Sequence, residues 1–256
     1  MAKMEGKRGL VLSGGGVRGL AHLGVWKALQ EKNVQIDCIS GTSAGSLVGA
    51  FIAAGFDAEH TFKLFEKKGI FDFARVHFPS KGLLELKGLE TFLENELPYK
   101  RIEDLPIPLI VTVSEIHEGK VHYFSEGPLA RMLTASSCIP VLFAPIAIDN
   151  NLYVDGGLFD NLPIKALRGD CEQIIAVNAT PSGEVKKLRN IIEISQRVFE
   201  LGASTDYHKK DADILIEPKG LIDVPLLDGR KAEMAFRLGY EASIEKLEEN
   251  RRLVTE

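Results

Sequence analysis

The chain has 256 residues, 45% of them hydrophobic and 26% charged, with a formal net charge of −5. That is enough apolar material for one large α/β domain or two small ones, with the charge content of an ordinary globular protein. The acidic balance excludes a nucleic-acid surface as its main business but leaves room for local basic patches that touch anionic lipid.

Taken in chain order, Gly9-Leu10-Val11-Leu12 reads as a short buried strand, followed by the turn Ser13-Gly14-Gly15-Gly16-Val17-Arg18-Gly19. Leu20, Leu23, Val25, Trp26, Ala28 and Leu29 then recur at helical spacing up to Lys32. Ile36–Ser40 is the second strand and residues 43 to 54 the second helix, with Gly55 as its C-cap. Asp57 caps a third helix carrying Phe62, Leu64 and Phe65. Between Gly69 and Gly88 the periodicity fades. Phe71, Phe73 and Phe78 there suggest either an acyl-contact or membrane-facing loop, or plain core packing. A helix over 87–97 ends at Pro98, and Leu109–Val113 is a strand rich in β-branched residues. Residues 117–119 turn it into a hairpin with 120–124, and 129–136 is helical. Residues 146–148 and 152–154 flank a turn and lead to Asp155-Gly156-Gly157. Further strands fall at 173–178 and 213–217, and amphipathic helices at 185–201 and 232–247. No repeat, low-complexity tract or linker divides the chain, so one domain over 1–256 is expected. Strands alternating with helices call for an α/β fold, a mainly parallel sheet covered on both faces.

Three cysteines, Cys38, Cys138 and Cys171, are too few and too scattered for a disulfide framework or a zinc site. The N-terminus lacks the apolar region of a signal peptide, and no eighteen-residue apolar run spans a membrane. A cytoplasmic location is expected, with peripheral contact at the inner face of a membrane left open.

Chemistry concentrates in Gly41-Thr42-Ser43-Ala44-Gly45, which stands between a strand and a helix as a nucleophile elbow requires. A serine at such a turn sits at a helix N-terminus, where negative charge is favoured. The glycine turn also satisfies the dinucleotide fingerprint through Gly14, Gly16 and Gly19. That fingerprint needs an acid near the end of the second strand, however, and Asp37 lies at its beginning. The alternative is that the amides of Gly14, Gly15 and Gly16 hold the oxyanion formed on a substrate over Ser43. Arg18 either adds positive charge that anchors a phosphate or is a surface arginine near a helix start.

Ser43 needs a proton acceptor. Of six histidines only His208 lies late in the chain, on a charged helix end, and His22 reads as an interior hydrogen-bonded residue. Asp155 is stronger: it follows an apolar strand, and Gly156-Gly157 allow close approach of another segment. A dry site raises its pKa and makes it a better base.

Gly14-Gly15-Gly16-Val17-Arg18-Gly19, Gly41-Thr42-Ser43-Ala44-Gly45 and Asp155-Gly156-Gly157, in that order, resemble the patatin-like phospholipase family. Ala21-His22-Leu23-Gly24-Val25, residues 135–140 and Asp160-Asn161-Leu162-Pro163 resemble its flanking blocks, so the likeness covers roughly residues 8–180. The resemblance implies a three-layer α/β/α fold of the modified α/β-hydrolase type and a Ser43–Asp155 dyad without histidine. It also implies hydrolysis of phospholipid or related lipid esters, with no cofactor and no metal. Two other readings stay open: an esterase or thioesterase for short soluble acyl groups, and a lipid-binding or regulatory module without turnover. Oligomeric state is not set by these residues.

Overall fold

The computed structural model describes residues 6–66, 70–76, 84–180, 183–184, 188, 191–202, 209–227 and 229–250. Phe78 and His208 lie outside the described residues, as does the side chain of Phe71.

The first β-α units form where the apolar periodicity places them. β1 (Arg8–Leu12) leads through a 3-10 turn (Gly16–Leu20) into α1 (Ala21–Glu31), and β2 (Cys38–Thr42) leads directly into α2 (Ala44–Ala53). α3 (Ala58–Phe65) starts at Asp57, whose carboxylate accepts the His60 N–H at 2.7 Å. A 3-10 turn (Ile70–Phe73) and the two-stranded ribbon of β3 (Arg75–Val76) and β4 (Leu84–Glu85) follow, then α4 (Lys87–Glu96). β5 (Leu109–Glu115) and β6 (Lys120–Phe124) make the expected antiparallel hairpin. α5 (Leu129–Ser136) precedes β7 (Ile146–Ile148) and β8 (Asn151–Asp155), again antiparallel. β9 (Gln173–Val177), α6 (Ile191–Gly202), β10 (Ile214–Ile216) and α7 (Ala232–Glu249) complete the order.

Eight strands form one sheet in the order β10-β9-β1-β2-β5-β8-β7, with β6 on β5. Pairings from β10 to β5 are parallel, and those of β5 with β6 and β8 and of β7 with β8 are antiparallel. The period-two alternation assigns the faces. Leu10, Leu12, Ile175 and Val177 enter a large core beneath the helices, whereas Val11, Ile174 and Ala176 enter a smaller cluster with Leu162, Ile164 and Leu167. The smaller face is thus covered by a segment whose helical content is one 3-10 turn, Ile164–Ala166.

Cys38 and Cys171 occupy that smaller cluster with their sulfurs in contact, a pairing across 133 residues that sequence reasoning did not anticipate. Their Cα atoms are 7.8 Å apart, wider than an ordinary disulfide spans. Gly9 lies opposite Cys38 in the sheet, and a side chain on it would meet the Cys171 sulfur at 3.0 Å. On the helical face α7 packs against α1 through two glycines. A Cβ on Gly24 or Gly239 would stand 2.0 Å from the carbonyl oxygen of Phe236 or Ala21, respectively, on the facing helix. No described helix is long and apolar enough to cross a membrane.

Candidate active site

Two strand ends meet along one edge of β5. β6 pairs with Val111–Glu115, so it takes one edge of β5; β2, opposite residues 109–112, and β8, opposite 113–115, must share the other. Thr42, the last residue of β2, lies opposite Thr112, and Asp155, the last of β8, lies opposite its neighbour Val113. Because β2 and β8 run in opposite directions, their C-terminal ends converge, and Ser43 and Asp155 follow from that register. Ser43 and Asp155 line one cleft, and the Ser43 side chain favours the ionised form of the Asp155 carboxyl.

Ser43 is the turn between β2 and α2, at φ 52 and ψ −123, a backbone conformation unfavourable for a residue with a side chain. It is held there from both sides. Its N–H donates to the Ser136 hydroxyl at 2.8 Å, which in turn donates to the Thr112 carbonyl at 2.7 Å. Its carbonyl accepts the N–H of Ser46 at 2.9 Å and of Leu47 at 3.1 Å. The flanking glycines permit close approach: a Cβ on Gly45 would lie 2.2 Å from the Leu12 carbonyl, and one on Gly41 2.6 Å from the backbone of Gly45. Ser136 was missed as a site residue: the sequence marked it only as part of the block 135–140, which does not name a partner 93 residues away.

Asp155 is 1% exposed and Ser43 8%. Burial pushes the Asp155 carboxyl up from 3.8 to about 7, against the opposing hydrogen bond from the Gly157 N–H, at 2.8 Å, and the opposing effect of the Ser43 side chain. At neutral pH this carboxyl is poised between its two protonation states.

The three glycines of the first turn are not equivalent. The Gly14 N–H donates to the Asn161 carbonyl at 3.1 Å, so the expectation that it faces a substrate is corrected. Gly14 is instead clamped, its carbonyl accepting the hydroxyls of Thr180 and Ser13, each at 2.8 Å, while the Asn161 amide donates to Thr180. The N–H groups of Gly15 and Gly16 have no recorded acceptor among the described residues, and both glycines line the same cleft as Ser43 and Asp155. Gly16 sits at φ 53, where a Cβ would meet the Leu226 carbonyl at 2.3 Å, and that carbonyl accepts the Val17 N–H at 2.8 Å. The C-terminal third therefore anchors the turn, a role no local motif announces.

Arg18 is likewise corrected. It is neither a surface residue nor turned to a phosphate: it is buried, with Nε donating to the Val224 carbonyl at 2.7 Å and Nη1 paired with Glu200 at 2.8 Å. Arg197 flanks the same carboxylate at 3.4 Å. His22 is interior as expected; its ring hydrogen-bonds through Nε2 with the Ser13 carbonyl at 2.8 Å, and burial lowers its pKa to about 4. An uncharged imidazole thus braces the glycine turn from behind.

Beside Ser43 opens an apolar chamber lined by Val17, Leu20, Leu47, Phe65, Phe73, Leu89, Ile139 and Leu227. Phe73 lines this chamber and packs on Phe92 at a ring separation of 5.0 Å.

This arrangement is that of an α/β protein with a serine on a strained strand–helix turn and a buried carboxyl in the same cleft. The chain belongs to the patatin-like phospholipase family, whose model matches residues 10–168. An uncharacterized NTE family protein of Mycobacterium tuberculosis is 32% identical over 209 residues, which are 76% of this chain and 58% of that protein. Lysophospholipase NTE1 of Kluyveromyces lactis is 31% identical over 252 residues, 94% of this chain and 16% of that protein. The chain thus spans little more than half the length of the mycobacterial relative and far less of the other. Among solved structures, VipD from Legionella pneumophila aligns with a TM-score of 0.52 at 16% identity, covering 97% of this chain and 69% of that one. ExoU from Pseudomonas aeruginosa, in complex with SpcU, gives 0.51 at 17% identity, over 99% and 54%. These structural likenesses are of fold.

Proposed function

We propose that the chain is a lipid acyl hydrolase, a carboxylic-ester hydrolase working through a Ser43–Asp155 dyad. The observation that supports this reading is that Ser43, held on a strained turn, lines one cleft with a buried carboxyl whose pKa is raised to about 7. Family membership and the name lysophospholipase borne by one relative support a lipid ester as substrate.

In the acylation step the Ser43 oxygen attacks the ester carbonyl as its proton passes to Asp155. The tetrahedral oxyanion is held by the N–H groups of Gly15 and Gly16 and by the N-terminal end of α2. Each such donor contributes about 3–4 kcal/mol to the transition state. Collapse breaks the bond to the leaving oxygen, which takes the proton from Asp155. Water then attacks the acyl-enzyme, giving its proton to Asp155, and the fatty acid leaves as the proton returns to Ser43.

One observation favours the reading in which short acyl groups are preferred. The apolar chamber encloses about 80 Å³, against the roughly 300–1,000 Å³ of sites that bury drug-sized ligands.

The test is active-site labelling with a fluorophosphonate, followed by product analysis on a defined phospholipid and on p-nitrophenyl esters of increasing length. Covalent label on Ser43 and its loss in Ser43→Ala support the enzyme. A folded protein that takes no label is a binding module, and the proposal fails.

A further inference from the structure

We propose that the outer face of α6 docks this protein on an anionic lipid surface, with its apolar stripe inserted at the headgroup boundary. The helix has two different sides. Ile191, Ile194, Val198 and Leu201 follow one another at intervals of three, four and three, which places them on one stripe. All four are exposed, from 43% to 69%. The other side faces inward: Phe199 and Glu200 border the cleft that holds Ser43 and Asp155, and Glu200 is tied to buried Arg18. Phe199 also lies against Gly157, where a Cβ would meet its ring at 3.2 Å.

A water-soluble surface has no use for four aliphatic side chains in a row, and such stripes mark interaction sites. Three features select lipid as the occupant. First, the helix roofs the cleft proposed to open lipid esters, so docking by this face delivers substrate beside the site; the inference rests on that reading. Second, Phe159, two residues beyond the Gly157 that Phe199 packs against, is itself exposed. Third, the chain directly before the helix reads Lys186-Lys187-Leu188-Arg189, a basic run in a protein whose net charge is −5. An amphipathic helix preceded in the sequence by basic residues suits an anionic interface.

The experiment separates docking from turnover. Vesicle flotation is run on the Ser43→Ala protein, which binds without consuming lipid, using phosphatidylcholine alone and phosphatidylcholine mixed with phosphatidylglycerol. Partitioning onto the mixed vesicles is expected, weaker on phosphatidylcholine. Ile194→Glu with Val198→Glu is expected to reduce partitioning at least about tenfold, since each side chain otherwise leaves water. In the otherwise wild-type protein the same pair leaves fluorophosphonate labelling and hydrolysis of a short soluble ester within about twofold, because neither residue borders the site. Labelling of Ser43 reports on the catalytic reading independently of vesicles. The inference is overturned if the protein does not float with either vesicle or if the glutamates leave flotation unchanged. A dimer that the glutamates split into monomers also overturns it, since a second copy would then be the occupant.

Discussion

Replacing Asp155 by asparagine tests the electrostatics of the dyad through stability as well as rate. Folding raises this carboxyl from 3.8 to about 7, so the native state holds a proton that the unfolded chain releases. The sign follows: stability is greatest below pH 3.8, falls as pH climbs towards 7, and levels off above it. At about 1.4 kcal/mol per pH unit, a rise of about 3 corresponds to roughly 4 kcal/mol lost at alkaline pH. Asparagine keeps an acceptor for the Gly157 N–H and a polar partner for Ser43 but carries no charge to desolvate. Urea unfolding of both proteins at pH 5 and pH 8 is the assay. The variant is expected to gain about 2–3 kcal/mol on wild type between those pH values, while ester hydrolysis is lost. A gap that stays constant from pH 5 to pH 8 would refute the raised pKa and, with it, the argument that burial makes this aspartate a base.

In the wild type, log kcat/KM should rise with unit slope up to about pH 7, where Asp155 ionises, and stay flat above it; an inflection near 4 in the pH profile rules this out. Gly16→Ala, which would set a Cβ 2.3 Å from the Leu226 carbonyl, should cut kcat about 10²-fold or more with stopped-flow acylation affected most. Arg18→Met leaves the Glu200 carboxylate only its longer pairing with Arg197 and should cost about 3 kcal/mol by calorimetry, with Arg18→Met/Glu200→Gln recovering part of it. Phe73→Ala enlarges the chamber beside Ser43 and should move the preferred p-nitrophenyl ester to a longer acyl chain, at about 3 kcal/mol in stability; an unchanged chain-length profile would remove Phe73 from the acyl wall.

Local chemistry was legible in the sequence wherever a few consecutive residues define it. The elbow at 41–45, the apolar strands and the helix periods are local consequences of side-chain pattern and backbone permission; most appear where expected, with β2 two residues later than read and the helix read over 185–201 described only from Ile191. The glycine turn was half legible. Its three consecutive glycines announce an unusual backbone, but which N–H remains free depends on Asn161, Thr180 and Leu226, and no local signal reports that Gly14 is already taken. Arg18 shows the same limit, since its charge was visible and its partner, 182 residues on, was not.

Sequence alone determined that a serine would stand on a sharp strand–helix turn and that an aspartate would end a later strand just before two glycines. Only the tertiary structure decided that they meet at one cleft. That meeting is set by register on β5, where Thr42 and Asp155 face adjacent residues from opposite directions. The raised pKa is likewise tertiary: it comes from the water excluded by every element packed around the carboxylate, a property of the assembled core rather than of any stretch of chain.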